Sequence, residues 1–261
     1  MTANPTALQL YTLREQLTAD RAGLLRQVAA MGYGAVEPFG ILDDPAGLRA
    51  DLDAAGLFAC SVHASPTGAD AEAVVRAART LGADTVIIPH LPPPRFADAD
   101  SVQALARELN ELAAWTGRQG LRLGYHNHDF ELSSLLDGVP ALEVLAGQLD
   151  EAVLLEVDTY WAAVGGQDVA ALLGRLGDRV QYLHVKDGPV VDRDDFMTAV
   201  GTGRMPVAEI LTASPSVPWH VVELDRCATD MMTAVGDSLA WLISQGLAPG
   251  RPQPAQHPGG A

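Results

Sequence analysis

Val153-Leu-Leu-Glu-Val-Asp158 and Val180-Gln-Tyr-Leu-His184 each join a short apolar run to a residue that can bind a metal or move a proton. Leu121-Arg-Leu-Gly-Tyr-His126 and Val217-Pro-Trp-His-Val-Val-Glu223 repeat the pattern. Such apolar runs are typical of strands buried in a parallel sheet. If the four strands lie side by side and parallel, their ends meet at one mouth. The residues that could hold a divalent cation there are His126, Asp158, His184 and Glu223.

Short apolar strands alternate with longer amphipathic segments along the chain. The predicted strands are Ala7–Tyr11, Ala35–Glu37, Phe58–His63, Thr85–Pro89, Leu121–His126, Val153–Asp158, Val180–Val185 and Trp219–Leu224. Strict alternation of this kind implies a parallel sheet, and eight units in about 245 residues favour a closed barrel. No strand-to-helix junction reads GxGxxG or GxxxxGKS, which an open nucleotide-binding sheet would show. We therefore predict an α/β fold, a single (β/α)8 TIM barrel, over residues 1–246. The Pro/Gly-rich tail, residues 247–261, is expected to be largely disordered or only loosely docked.

Composition narrows the classes of partner. The 261-residue chain has 33 Asp+Glu against 17 Lys+Arg, a formal charge of -16, which disfavours nucleic acid. Its two cysteines suggest no disulfide framework, and neither a signal peptide nor a membrane-length apolar run is visible. We expect a cytoplasmic protein with a small-molecule substrate and no membrane partner. The sequence leaves the oligomeric state open, a homo-oligomer included.

Two imidazoles and two carboxylates would form a mixed nitrogen and oxygen site. That donor set suits Mn²⁺, Co²⁺, Fe²⁺ or Zn²⁺ better than Mg²⁺ or Ca²⁺, which favour oxygen ligands. We expect one divalent ion, with Mn²⁺ as the first choice and Co, Fe, Zn or Mg as alternatives. The remaining strand ends carry further polar side chains, namely Tyr11, Glu37, His63, His90, His128 and Lys186.

Four segments resemble the sugar phosphate isomerase/epimerase family of the xylose isomerase-like TIM-barrel superfamily. They are Gly124-Tyr-His-Asn-His-Asp-Phe-Glu131, Asp158-Thr-Tyr-Trp-Ala-Ala-Val-Gly-Gly166, Leu183-His-Val-Lys-Asp187 and Val221-Val-Glu-Leu-Asp225. Gly32-Tyr-Gly-Ala-Val-Glu-Pro38 and Gly201-Thr-Gly-Arg204 extend the likeness to about residues 5–245. The resemblance implies the barrel and puts the family's metal ligands on His126, Asp158, His184 and Glu223. In the family the first of these is often Glu in a Glu-Asn-His context. The histidine at position 126 therefore weighs against a symmetric epimerisation by two carboxylates.

The resemblance also implies deprotonation beside a sugar carbonyl, with the metal as Lewis acid on the developing enediolate. Glu223 is the first choice for the base. Glu37 or His128 could supply a second acid/base group, with Glu131 a weaker candidate there or a substrate-side residue. Lys186 could steady negative charge or donate a proton. Further candidates for substrate binding are the hydroxyl-binding His63 and His90 and an apolar wall of Tyr11, Phe39, Tyr160 and Trp161. Each of these residues also has a structural alternative. Lys186 could form a salt bridge with Asp187 or another acid, the two histidines could be buried structural residues, and the aromatic side chains could simply pack beneath the loops.

We predict a divalent-metal-dependent isomerase or epimerase of a neutral sugar or keto-sugar, since no cluster of Arg or Lys stands out as a phosphate clamp. The main alternative is a metal-dependent lyase or dehydratase that carries out β-elimination on a keto-sugar, keto-glycoside or inosose. A DNA-repair endonuclease shares the superfamily fold, but the charge of -16 and the lack of additional closely spaced ligands disfavour it. A binding protein without catalytic activity is the remaining alternative.

Overall fold

Eight parallel strands form the centre of the molecule in the computed structural model, which describes residues 5–249. Their bounds are β1 Thr6–Gln9, β2 Ala35–Glu37, β3 in two pieces (Phe58–Ala59 and Val62–His63), β4 Thr85–Ile88, β5 Arg122–His126, β6 Val153–Asp158, β7 Val180–Val185 and β8 Trp219–Val222. The two pieces of β3 form the two ends of the sheet, and only Cys60 and Ser61 separate them. The sheet therefore closes on itself, and the predicted (β/α)8 TIM barrel is confirmed.

Helices surround the strands. The α-helices of residues 5–249 are Arg14–Ala19, Arg21–Met31, Pro45–Ala55, Ala71–Leu81, Ala99–Arg118, Phe130–Ser133, Ala141–Ala146, Thr159–Val164, Val169–Leu176, Val207–Ala213 and Met231–Ser244. Shorter elements are the 3₁₀ turns Leu10–Leu13, Gly68–Asp70, Pro93–Phe96 and Gly177–Arg179, and a hairpin of Leu135–Leu136 with Val139–Pro140. Asp98 and Asp168 cap two helices by accepting hydrogen bonds from Ser101 N and Ala171 N. Gly82 ends another with a φ of 76°, which favours glycine.

The barrel interior is layered, because alternate residues of a strand point the same way. A small apolar cluster fills its lower part, formed by Ala7, Ala35, Cys60, Ile87, Tyr182 and Val221. Two residues further along four of these strands come Gln9, Glu37, His184 and Glu223, all buried. The strand register thus places a polar layer directly on top of an apolar plug, at the carboxyl end of the barrel. The larger hydrophobic core lies between strands and helices.

The first residues of the expected tail, Leu247 and Ala248, contact the last helix. Leu247 N and Ala248 N donate to Leu242 O at 2.9 and 3.3 Å, and Ala248 is buried. The rest of the expected tail, residues 250–261, lies outside the described residues. Across residues 5–249 no helix has both the length and the apolarity needed to cross a bilayer.

Candidate active site at the barrel mouth

The structure brings the four predicted metal ligands together. The ligand atoms of His126, Asp158, His184 and Glu223 all lie within 4.8 Å of one another, and all four residues are buried. We call this group the outer tetrad. Each of its members sits on a barrel strand or directly after one, so the donor atoms are held by rigid elements rather than by loops.

A second group of donor atoms lies below the first. His63, His126, Glu156 and His184 also have their ligand atoms within 4.8 Å of one another, and we call them the inner tetrad. The two groups share His126 and His184. Glu156 was missed at the sequence level, because only strand ends were considered. The alternation of side chains along a strand could have identified it. Glu156 precedes Asp158 by two residues on β6, so both side chains point into the barrel.

His184 connects the two levels, because each of its ring nitrogens faces a different carboxylate. Nδ1 lies 2.7 Å from Glu223 Oε2, and Nε2 lies 2.8 Å from Glu37 Oε2 and 3.1 Å from Glu156 Oε2. Burial alone would lower the pKa of His184, but Glu156 and Glu223 raise it well above its usual value. A metal held through Nδ1 would displace one proton and leave Nε2–H donating to Glu37. This is the usual arrangement of a ligating histidine oriented by a carboxylate.

His126 is neutral, as a metal ligand must be. Burial, together with repulsion from His184, lowers its pKa to about 3. Its Nε2 lies 3.9 Å from Asp158 Oδ2. Its Nδ1 lies 3.1 Å from Glu156 Oε2, but without the direction of a hydrogen bond to any described residue. A buried imidazole whose Nδ1 has no hydrogen-bond partner among the described residues, and which faces carboxylates, fits a divalent ion of the mixed nitrogen and oxygen kind.

Lys186, the sole lysine of the chain, lies buried among three carboxylates. Its Nζ is 2.8 Å from Asp158 Oδ2, 2.7 Å from Glu223 Oε2 and 2.6 Å from Asp225 Oδ2. Although burial opposes the charge, these acids, Asp158 foremost, raise the pKa of Lys186 well above its usual value. The ammonium therefore stays protonated beside two ligands of the outer tetrad. A compact point charge with three donors suits this position better than a planar guanidinium.

Asp187, the alternative partner considered for Lys186, has a different role. Its carboxylate accepts backbone hydrogen bonds from Gly188, Gly201, Gly203 and Met205 at 2.8–3.0 Å. It thereby fixes the long loop after β7, including the Gly201-Thr-Gly203 stretch. A side chain at Gly203 would place its Cβ 2.1 Å from Asp187 Oδ1, so the backbone approaches the carboxylate as only glycine allows.

A cavity of about 430 Å³ opens above the outer tetrad. The predicted substrate-side or acid/base residues that line it are Tyr11, His63, His90, His128, Lys186 and Glu223, together with Phe39, His126 and Asp225. Burial first, and then electrostatic repulsion from the neighbouring His126 and Lys186 sites, lowers the pKa of His128 to about 2, so its imidazole is neutral. Its buried Nδ1 has no hydrogen-bond partner among residues 5–249. His128 therefore presents an unused imidazole to this cavity.

Several predicted site residues lie outside the lining of this cavity: the metal-ligand candidates Asp158 and His184, and the acid/base or substrate-side candidates Glu37, Glu131, Tyr160 and Trp161. Glu37 is fully buried in the polar layer below it. Glu131 accepts hydrogen bonds from Tyr125 Oη at 2.5 Å and His128 N at 2.9 Å, so it supports the loop after β5. Trp161 is 7% exposed, and Lys186 Nζ lies 5.3 Å from the centre of its ring. These contacts favour positioning roles for Glu37 and Glu131.

Comparison with known proteins agrees with this geometry. A model of the family described as xylose isomerase-like TIM barrel matches residues 25–242. The chain belongs to this family. The resemblance predicted from the strand-end motifs is therefore confirmed.

Curated proteins with related sequences include inosose dehydratases. That of Geobacillus kaustophilus (strain HTA426) is 27% identical over 227 residues, covering 75% of this chain and 72% of that protein. That of Mesomycoplasma hyopneumoniae (strain 7448) is 34% identical over 84 residues, 32% of this chain, and the match spans only 27% of that protein's length. A crystal structure of a sugar phosphate isomerase/epimerase from Parabacteroides distasonis ATCC 8503 has a TM-score of 0.79 at 24% identity, over 95% of this chain and 96% of that one. The last comparison shows the shared fold.

Proposed function

We propose that this protein is a divalent-metal-dependent isomerase or epimerase of a sugar or keto-sugar, acting by proton abstraction beside a carbonyl. The observation that carries the proposal is the position of Glu223. It is the one carboxylate that both belongs to the outer tetrad and lines the cavity. A base in that position lies beside the bound metal and in contact with the substrate.

The metal would supply Lewis acidity toward the carbonyl and its neighbouring hydroxyl. Mn²⁺ remains our first choice, with Co²⁺, Fe²⁺, Zn²⁺ and Mg²⁺ as alternatives. The outer tetrad would hold it, and Glu37 and Glu156 below would keep the shared histidines oriented.

The acid/base work falls to groups that face the cavity. Glu223 takes the proton from carbon. Lys186, whose Nζ is 2.7 Å from Glu223 Oε2, stabilises the negative charge that develops on substrate oxygen. The neutral His128 faces the same cavity and can hydrogen-bond to a substrate hydroxyl. His90 makes an edge contact with His128, their ring centres 5.2 Å apart, and is placed to bind hydroxyl groups with Tyr11 and His63.

A lyase is the second candidate, and two observations favour it. The relatives matched by sequence are named inosose dehydratases. In addition, Glu223 and Lys186 form a base and acid pair on the same side of the cavity. In β-elimination, Glu223 would remove the proton beside the carbonyl, a carbon–carbon double bond would form, and the β-hydroxyl would leave as water with a proton from Lys186.

Isotope exchange tests the shared step and product analysis separates the two candidates. The protein is incubated in D₂O with Mn²⁺ and a panel of aldoses, ketoses, 3-keto-glycosides and an inosose. We expect deuterium beside the carbonyl of at least one compound. An isomer or epimer as product supports the first candidate, whereas an unsaturated product supports the second. No exchange with any member of the panel would contradict both.

The control variants locate the base. Glu223→Gln should reduce exchange by about 10²- to 10⁴-fold, the usual contribution of a general base. Glu72→Gln, which changes a side chain 83% exposed on an outer helix, should leave exchange unchanged. Equal exchange by wild type and Glu223→Gln would show that the base is another residue.

A further inference from the structure

A second cavity, of about 340 Å³, adjoins the main cavity at the barrel mouth. The two share Tyr11 and Asp225. The other residues of this second cavity come from the start of the first helix after β1, the helix after β6 and the loops after β7 and β8. They are Arg14, Trp161, Arg193, Asp194 and Arg226. We call this second cavity the outer chamber.

Positively charged side chains outnumber negatively charged ones in the lining of the outer chamber, although the chain as a whole is acidic. Three guanidinium groups and two carboxylates line it, whereas the whole chain has 17 Lys+Arg and 33 Asp+Glu. The three arginines lie far apart in the sequence, so no basic cluster is visible there. The fold brings them together because the loops after parallel barrel strands meet at one face.

The guanidinium groups keep N–H donors free for a ligand. Arg14 donates to the main-chain oxygens of Tyr11 and Asp225 at 3.0 and 2.9 Å and, in the part of the chain that the structure describes, pairs with no carboxylate. Within residues 5–249, Arg193 donates only through Nη2, to Asp129 Oδ1 at 2.8 Å, and Asp129 does not line the chamber. Over the same residues, Arg226 donates only through Nη1, to Asp194 at 3.2 Å. A guanidinium has donors on all three nitrogens, and their planar fork matches carboxylate and phosphate oxygens.

Both carboxylates of the lining are already bonded to cations. Asp194 accepts from Arg226, and Asp225 Oδ2 lies 2.6 Å from Lys186 Nζ. They are therefore poor sites for a further cation. Tyr11, which lines both cavities, and Trp161 add aromatic surface to the outer chamber, and the Arg14 guanidinium lies 4.5 Å over the Tyr11 ring. A ligand that fits has an oxyanion on one end and a flat apolar or sugar-like body.

We propose that the outer chamber binds an oxyanion, a phosphate monoester or a carboxylate, carried by the part of the substrate that lies away from the outer tetrad. The assignment of this anion to a substrate of the main cavity rests on the proposed function. Binding of an oxyanion in the chamber does not depend on it. Under this proposal the substrate would be uncharged at its reacting end and anionic at its distant end, in contrast to the wholly neutral substrate expected from the sequence.

Calorimetric titration of the full-length protein with methyl phosphate, and separately with D-glucuronate, tests this binding and distinguishes the two kinds of oxyanion. We expect saturable binding of at least one of them by the wild type. The double variant Arg193→Gln/Arg226→Gln should weaken it by about tenfold or more, because charge-assisted hydrogen bonds are lost. Arg193→Lys/Arg226→Lys keeps the positive charges but not the planar guanidinium, so its affinity for the anion should lie between those of the wild type and the double glutamine variant.

Arg175→Gln is the matched control, because Arg175 is similarly exposed but pairs with Glu143, and neither residue lines the two cavities. It should change affinity by less than about twofold. Circular dichroism confirms that each variant is folded. The proposal is overturned if the wild type binds neither anion, or if binding persists unchanged in the double glutamine variant, as it would for an anion held by a metal. Deuterium exchange is measured separately, so the two proposals can fail independently.

Discussion

Glu37→Gln should weaken metal binding although Glu37 belongs to neither tetrad. The Glu37 carboxylate accepts hydrogen bonds from Gln9 Nε2 at 2.7 Å, from Ser61 Oγ and from His184 Nε2 at 2.8 Å, and it is fully buried. Every one of these partners is a donor. Glutamine has nearly the same shape, but it carries no charge and turns an NH₂ group toward one of them. His184 would then lose the fixed acceptor that holds its Nε2–H.

The expected loss of metal affinity can be calculated from the hydrogen bond between His184 Nε2 and the Glu37 carboxylate, which the substitution removes. A hydrogen bond to a charged group contributes about 1.5–3 kcal/mol, which corresponds to about 10- to 150-fold in a dissociation constant. Loss of a carboxylate that orients a ligating histidine typically costs about 10- to 100-fold in metal affinity, in agreement. We therefore expect the Kd for Mn²⁺ or Zn²⁺ to rise by about 10- to 100-fold.

Competition with a chromophoric chelator measures this Kd, and elemental analysis of the purified protein gives the stoichiometry. Glu72→Gln makes the same chemical change at an exposed position and should bind like the wild type. The reasoning is refuted if folded Glu37→Gln binds metal within about twofold of the wild type, because His184 would then need no partner at Nε2. A wild type that carries no metal and ignores added Mn²⁺ would refute the metal site itself.

Three further predictions concern the tetrads, a buried acid and a glycine. Asp158→Asn should abolish stoichiometric metal in elemental analysis, whereas His63→Gln should only weaken binding; the reverse result would place the metal in the inner tetrad. Burial raises the pKa of Glu131 to about 7, so the folded state binds more protons than the unfolded state between about pH 4.5 and 7. The free energy of unfolding is therefore highest below this window and falls by about 3 kcal/mol as pH rises through it to 7. In urea unfolding measured from pH 5 to 8, Glu131→Gln should remove this contribution to the pH dependence of the unfolding free energy. Gly201→Ala should lower the melting temperature by several degrees, because φ is +90° and the new Cβ would lie 2.3 Å from the Trp241 ring, while Gly34→Ala, with nothing within 4 Å, should have little effect; equal shifts would contradict this reading.

The barrel could be predicted from sequence because its signal is local and repeated. Each strand is an apolar run, and each run is followed by a helical pattern, so eight independent observations support one topology. The outer tetrad followed from the same logic, since parallel strands must bring their carboxyl ends together. The break in β3 at Cys60 and Ser61 was not predicted. It depends on how the two neighbouring strands pair with each half of the segment, which is a tertiary contact.

Residues that act through tertiary contacts were harder to place. Glu131 follows the His126-Asn-His128 loop closely in sequence, yet the loop turns its carboxylate inward to Tyr125. The arginines of the outer chamber come from positions 14, 193 and 226, and only the closed barrel puts them side by side. Lys186 was noticed because it is the sole lysine, but its position between Asp158, Glu223 and Asp225 depends on β6, β7 and β8 together.

The histidine at position 126 fits the charge balance of this mouth. A divalent ion in the outer tetrad would balance the charges of Asp158 and Glu223, and Lys186 would balance Asp225. A glutamate at 126 would add a further negative charge to a buried site that already holds the carboxylates of Glu37 and Glu156 besides those of the outer tetrad, and like charges repel strongly there. The neutral imidazole avoids this cost. Glu223 remains the one carboxylate of the outer tetrad that lines the cavity, so under the proposed function a second proton transfer would fall to another cavity residue such as Lys186. A one-base isomerisation or a same-side elimination therefore suits these residues better than epimerisation between two carboxylates.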